Sequence, residues 1–147
     1  MLLLAGVAGV GAVALSACGG GDETDSDTPP TGASSGGSTG EEVTVAADGT
    51  QEITLLVRDD YVFRPDRFTV TPGRVRLTLT SEAEQLTHNI RFTPGAGPAE
   101  IAEEIPILSP GNSETMEFPV DQPGDYRYEC SFHVALGQIG TMTVAPS

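Results

Sequence analysis

The sequence predicts an all-β domain over residues 41–147, folded as a β-sandwich or a barrel. Three observations predict this class. Apolar residues recur at every second position, turns containing Gly and Pro separate short segments of this kind, and strands do not alternate with long helical patterns. One domain is expected, because a chain of about 100 to 150 residues buries a single hydrophobic core.

The predicted strands follow from this alternation, taken in chain order. They contain Val43 and Val45, residues 53–57, Phe68 and Val70, residues 75–79, Met116 and Phe118, Tyr126 and Tyr128, and residues 139–144. Turn chemistry separates several of them, at Asp48-Gly49, Pro72-Gly73 and Pro123-Gly124. Only the segment from Ala99 to Ile105 has helical spacing. It is short and bounded by prolines, so a short helix is expected there.

The residues before the predicted domain are of a different kind. Residues 2–17 are small and apolar, a run too short to cross a membrane, which needs about 20 residues, but typical of an export signal. Residues 1–17 are therefore predicted to be the export signal. Such a signal normally opens with a basic residue, and none follows Met1, so the true start is expected to lie upstream.

The run closes in Leu15-Ser16-Ala17-Cys18, which resembles the bacterial lipobox. This resemblance implies that Cys18 is lipidated and becomes the first residue of the mature protein. A buried Cys18 in an N-terminal helix is the weaker interpretation, because three glycines follow it. Residues 18–40 are rich in Gly, Ser, Thr and Asp and are expected to form a flexible linker. The domain is thus expected to be tethered to the extracytoplasmic face of a membrane.

The charge balance excludes one class of partner. The formal net charge is −14, and all seven basic residues are arginines. Nucleic acids are bound through clusters of Lys and Arg, and no basic stripe is present, so a nucleic acid is not expected to bind. The acidic surface is expected to serve solubility, with a basic redox partner as the second interpretation.

Four polar residues are predicted to converge at one end of the core. The chain has two histidines, and one cysteine outside the leader. Strand parity places His88 on the face of Ile90 and Phe92, and Cys130 on the face of Tyr126 and Tyr128.

His133 follows Cys130 at a spacing of three, and Gln138 shares a face with Gly140, Met142 and Val144. Buried polar groups are costly unless they are paired, so a metal explains this set better than packing does. Two imidazoles, one thiolate and a weak fourth donor favour copper, while zinc stays open.

The segment from Tyr126 to Gly140, with its Cys-Ser-Phe-His run, resembles the ligand loop of the cupredoxins, and His88-Asn89 is similar to their upstream His-Asn. The resemblance implies a Greek-key β-sandwich and one-electron transfer by one copper ion bound to His88, Cys130 and His133. Plastocyanin-like members carry Met where this chain has Gln138. In this respect the chain is similar to stellacyanin-like members, which carry a glutamine at this position. The harder amide oxygen is expected to lower the reduction potential.

Residues next to the predicted ligands have a structural and a functional interpretation. Asn89 is either a surface residue or a brace between the ligand segments, and Ser131 is the second candidate for such support. Val134, Ala135 and Leu136 either pack within their loop or form an apolar patch on which a redox partner docks. Met116 and Met142 are expected to fill the core.

Two other functions compete with electron transfer. The first is an accessory copper domain of a multi-subunit oxidase or reductase, although the chain has no spare histidines for a second copper. The protein is expected not to be an enzyme. A copper carrier or store is the other, although exposed Met/His clusters are missing. The favoured interpretation is a monomeric electron carrier whose partner is a redox protein such as a cytochrome or terminal oxidase.

Overall fold

The structure is a computed structural model and describes residues 42–147. The predictions for the export signal, for Cys18 and for the linker therefore lie outside the described residues. Ten strands form in the described part of the chain. In chain order they are β1 (Thr44–Val45), β2 (Gln51–Val57), β3 (Phe63–Arg64), β4 (Arg67–Val70), β5 (Gly73–Ser81), β6 (His88–Phe92), β7 (Glu104–Leu108), β8 (Ser113–Val120), β9 (Gly124–Glu129) and β10 (Ile139–Val144).

The strands form two five-stranded sheets, which confirms the predicted β-sandwich. One sheet has the order β1-β2-β5-β8, with β3 paired to β2, and the other has the order β4-β10-β9-β6-β7. The helical content of residues 42–147 is a single 3-10 turn, Val134–Leu136. No helix within those residues is long and apolar enough to cross a membrane.

Alternation decides which side of each sheet is buried. In β2 every second residue is buried, and β5 repeats the pattern from Val75 to Ser81. Successive side chains of a strand point to opposite faces, so each strand contributes one row to the core between the sheets. Met116 and Met142 both lie in this core, as expected.

Two local predictions were wrong. Residues 99–103 form no helix, and Ile105 instead lies in β7. Ile101 and Ile105 are both buried, and their spacing of four suits one face of an extended chain as well as one face of a helix. Val45 does not alternate into the core with Val43, because β1 has two residues and Val45 is 68% exposed.

Long-range pairing positions the end of the sandwich where the ligand residues lie. β10 runs antiparallel to β9, with Ile139 opposite Glu129, and parallel to β4, with Thr141 opposite Arg67. Gly140 is required in β10, since a Cβ there would lie 2.2 Å from Cζ of Tyr128. The close contact between β10 and the Tyr128 ring holds the ends of β9 and β10 side by side.

Candidate metal centre

The predicted ligands come from three places in the fold that meet at one end of the sandwich. His88 is the first residue of β6, Cys130 follows directly after β9, and Gln138 directly precedes β10. His133 precedes the 3-10 turn in the loop between those two strands. The loop therefore carries three of the four residues, and β6 beside it carries the fourth.

The side-chain donors face a common point. Nδ1 of His88 and Nδ1 of His133 each lie 3.0 Å from Oε1 of Gln138, and Sγ of Cys130 lies 3.5 Å from Nδ1 of His133. The donor atoms of His88, Cys130 and His133 all lie within 4.8 Å of one another. The structure thus brings together all four residues that the sequence predicts.

Burial makes this arrangement costly for the protein alone. His88, Cys130 and Gln138 are each 0% exposed, while His133 is half-buried. Nε2 of His88 and Nε2 of Gln138 have no hydrogen-bond partner among the described residues. Burial lowers the pKa of His88, against a smaller opposing contribution from the Gln138 hydrogen bond. Burial therefore favours the neutral imidazole, which is the form that binds a metal.

Backbone hydrogen bonds lock the ligand loop. The N–H of Cys130 donates to the carbonyl of Gln138, and the N–H of His133 donates to the carbonyl of Cys130. The N–H of Gln138 in turn donates to the carbonyl of His133. Gly137 closes the 3-10 turn in the left-handed conformation, at φ 88°, which glycine adopts without steric cost. The donors are consequently held in place by the loop itself.

Asn89 connects the two ligand-bearing segments. Its Nδ2 donates to Oγ of Ser131 over 2.7 Å, and its Oδ1 accepts from the N–H of Ser131, also over 2.7 Å. Simple parity would point Asn89 outward, but a register shift between His88 and Ile90 breaks the pairing of β6 with β7 there. Asn89 is buried as a result, next to one ligand residue and bonded to the neighbour of another.

Glu129 is a buried carboxylate that sequence reasoning missed. It precedes Cys130, its side chain is 6% exposed, and Oε1 accepts a hydrogen bond of 2.9 Å from Arg91 while Oε2 accepts one from Thr93. Burial alone would raise the pKa of Glu129, but the hydrogen bonds from Thr93 and Arg91 outweigh it and hold this pKa below its usual range. The ion pair ties β9 to β6 behind the ligand loop. Sequence parity assigns Glu129 to the solvent face and gives no sign of its burial.

Apolar residues adjoin the half-buried His133 in the chain. Ala135 and Leu136 of the predicted patch are exposed and Val134 is half-buried. Phe132, which the sequence did not single out, is 52% exposed beside them.

Tyr61 is a further neighbour of His133 that the sequence did not reveal. Its ring centroid lies 5.0 Å from that of His133. It has φ 57°, a conformation uncommon outside glycine. The contact arises from a turn between β2 and β3, far from His133 in the chain, and no local pattern signals it.

The types of donor atom indicate which metal these residues would bind. Two imidazole nitrogens, one thiolate sulphur and one amide oxygen match the mononuclear copper sites that use a weak axial donor. Zinc also accepts His and Cys ligands. The residues therefore fit copper, and the chemistry of the donors by itself leaves zinc possible.

Comparison with known proteins favours copper over zinc. Residues 51–145 match the family described as copper binding proteins, plastocyanin/azurin family. A plastocyanin of Nostoc punctiforme is 32% identical over 90 residues, which span 56% of this chain and 63% of that protein, just under two thirds of its length. Plastocyanin A/B of Petroselinum crispum is 36% identical over 86 residues, which span 56% of this chain and 87% of that protein.

Solved structures show the same fold. A dithionite-reduced auracyanin from the photosynthetic bacterium Roseiflexus castenholzii has a TM-score of 0.58 and 28% identity, covering 65% of this chain and 97% of the other. Auracyanin A from Chloroflexus aurantiacus, described as a blue copper protein, has a TM-score of 0.56 at 20% identity, covering 66% of this chain and all of the other. The second likeness concerns the fold alone.

Proposed function

The chain belongs to the plastocyanin/azurin family of copper-binding proteins, and on that premise we propose that it carries single electrons through one copper ion held by His88, Cys130 and His133. The observation that carries the proposal is the convergence of their three donor atoms within 4.8 Å. The family binds copper, and the donor set fits that ion. One copper ion is therefore the cofactor.

The protein's own residues would keep the donors nearly fixed while the charge of the site changes. Bound copper supplies the Cu(I)/Cu(II) couple. The thiolate of Cys130 is a soft donor and the imidazoles of His88 and His133 suit both oxidation states. The hydrogen bonds within the ligand loop, and the Asn89 bridge to Ser131, oppose rearrangement of these donors. A site that moves little on oxidation and reduction favours rapid electron transfer.

Gln138 is proposed as the weak fourth ligand. Its Oε1 already lies 3.0 Å from Nδ1 of both histidines. The amide oxygen is a harder donor than a thioether, so it would stabilise Cu(II) relative to Cu(I) and lower the reduction potential.

The apolar surface at His133 is proposed as the place where a redox partner approaches. Leu136 is 60% exposed and Phe132 is 52% exposed, and His133, Val134 and Ala135 lie between them in the chain. Apolar contact permits close but short-lived docking, because the area is small. A redox protein such as a cytochrome or terminal oxidase is the proposed partner of the monomeric domain.

The site of action is proposed from the leader alone. The apolar run of residues 2–17 ends in Cys18 with the lipobox-like sequence, and a linker of Gly, Ser, Thr and Asp follows. A lipid on Cys18 would hold the domain at the extracytoplasmic face of the membrane.

Addition of Cu(II) to the copper-free full chain tests the central proposal. We expect an intense visible band from thiolate-to-copper charge transfer, and a reversible one-electron wave in voltammetry. Cys130→Ser should abolish the band, because it removes the sulphur donor. Cys18→Ser is the matched control and should leave the band unchanged. A colourless copper complex, a band that survives Cys130→Ser, or a band that disappears in Cys18→Ser would refute this assignment.

A further inference from the structure

The arginines of this acidic protein are not equally neutralised. All seven lie within residues 42–147, and six of them form ion pairs with carboxylates. Arg67 is exposed and makes no ion pair within that part of the chain. Arg127 is the next least neutralised, because its one partner, Glu129, lies 3.7 Å away and binds Arg91 at 2.9 Å.

These two arginines lie on either side of one small residue. Thr141 of β10 is opposite Arg67 of β4 on one side and opposite Arg127 of β9 on the other. Adjacent strands are about 4.8 Å apart, so the two arginine backbones lie roughly 10 Å apart across the Thr141 side chain. Two long side chains flanking a short one form a groove with a hydroxyl at its base.

The groove extends from the arginines toward the metal centre. Its volume is about 310 Å³, and it is lined by Tyr61, Val62, Asp66, Arg67, Arg127, Gly137, Ile139, Gly140 and Thr141. Val62 and Ile139 are exposed at 41% and 42%. Tyr61, at the end nearest the ligand loop, contacts the ring of His133. One end of the groove is thus positive and the other is apolar.

We propose that this groove docks an acidic segment of the redox partner, whose carboxylate lies between Arg67 and Arg127 while its apolar neighbour packs on Ile139 and Val62. The inference rests on the proposed electron-transfer function. It adds to the apolar surface at His133 a second contact that is specific for a carboxylate.

Charge complementarity favours this occupant. Guanidinium groups bind carboxylates in a planar, bidentate manner, and the hydroxyl of Thr141 can donate a further hydrogen bond. Asp66 also lines the groove, but it forms no ion pair with Arg67 or Arg127 in the described structure. A basic partner would meet two arginines here, whereas an acidic segment finds its counter-charges in place. Local complementarity of this kind steers encounter even when the net charges of two proteins repel.

Stopped-flow reduction of the Cu(II)-loaded full chain by two probes tests the proposal. The first probe is [Fe(EDTA)]²⁻, which carries carboxylates, and the second is the cation [Ru(NH₃)₆]²⁺. At an ionic strength of about 0.1 M, where the Debye length is about 10 Å, we expect Arg67→Gln to slow reduction by [Fe(EDTA)]²⁻ by about three- to five-fold, from the loss of one charge beside the docked anion. Arg67→Lys should restore most of the rate.

Arg74→Gln is the matched control, because it removes the same charge from an exposed arginine in the other sheet. It should change the rate by less than about 1.5-fold, since its charge is screened at that distance. Equal slowing in Arg67→Gln and Arg74→Gln would overturn the groove, because net charge alone would then explain both. The same holds if neither variant is slowed.

Binding measured without electron transfer separates this proposal from the proposed function. The redox-inert, diamagnetic complex [Ga(EDTA)]⁻ should shift the amide NMR signals of Arg67, Ile139 and Thr141 in the copper-free wild type and not in Arg67→Gln. Shifts spread evenly over the surface would contradict the groove. A protein that shows these shifts but accepts no electron from either reductant would instead refute the electron-transfer function.

Discussion

The bridge between Asn89 and Ser131 allows the support of the metal centre to be tested directly. Asn89→Ala removes both of its hydrogen bonds, each 2.7 Å long, between the segment that carries His88 and the segment that carries Cys130. The substitution touches none of the four proposed ligands. Its effect should therefore report how strongly the bridge holds the two segments together.

The magnitude follows from the burial of the bridge. Each hydrogen bond contributes about 1 kcal/mol net, and a buried N–H left without a partner costs a further 1 to 3 kcal/mol or so. Asn89 is buried and Ser131 is half-buried, so the N–H of Ser131 is poorly placed to bind water instead. We expect Asn89→Ala to destabilise the copper-free protein by about 3 to 5 kcal/mol, or roughly 12 to 25 °C in Tm for a domain of this size.

Urea unfolding of the copper-free protein, followed by far-UV circular dichroism, measures this change. Ser131→Ala should cost less than Asn89→Ala, because the N–H of Ser131 keeps its bond to Oδ1 of Asn89 and only Nδ2 of Asn89 loses its partner. Asn112→Ala is the matched control, since Asn112 is exposed and its side chain makes no hydrogen bond within residues 42–147. That variant should stay within about 0.5 kcal/mol of wild type. If Asn89→Ala behaved like Asn112→Ala, the bridge would not support the site.

Three further variants test other parts of the structure. Gln138→Met should raise the reduction potential in voltammetry, because a thioether stabilises Cu(I) better than an amide oxygen does. An unchanged or lower potential would refute Gln138 as the fourth ligand. Gly140→Ala should destabilise the domain by about 3 kcal/mol or more in urea, because its Cβ would lie 2.2 Å from the Tyr128 ring, and near-wild-type stability would contradict this contact. The N–H groups of Glu84 and Leu86 donate to Asp59 and hold its pKa below the usual range. Because the folded pKa lies below the unfolded value of about 3.9, the excess stability of wild type over Asp59→Asn should be full above about pH 5 and vanish as the pH falls through the folded pKa, whereas a pH-independent difference would contradict it.

The sequence predicted the sandwich well because strand alternation is a local property. The buried faces of β2, β5 and β10 follow from residues two apart, and the structure confirms them. The prediction of a helix at 99–105 was wrong because it also rested on local spacing alone. A spacing of four between Ile101 and Ile105 fits both helix and strand, and only pairing with β6 selects the strand.

The sequence predicts the four candidate donors but not the residues that surround them. Parity and the short Cys130–His133 spacing place the four donors near one another without knowledge of the fold. The burial of Asn89 depends on the register shift in β6, and the burial of Glu129 depends on its pairing with Arg91. Neither follows from the alternation of a single strand.

The sequence by itself determined the fold class and the acidic character of this protein and predicted the donor set, because these follow from residue types and from spacings within single strands. Tertiary structure alone decided that Tyr61 contacts His133, and that Arg67 and Arg127 flank Thr141. For Arg67 the physical reason is the parallel pairing of β4 with β10. That pairing joins residues more than 70 positions apart, and its register depends on packing of the whole core rather than on any local pattern.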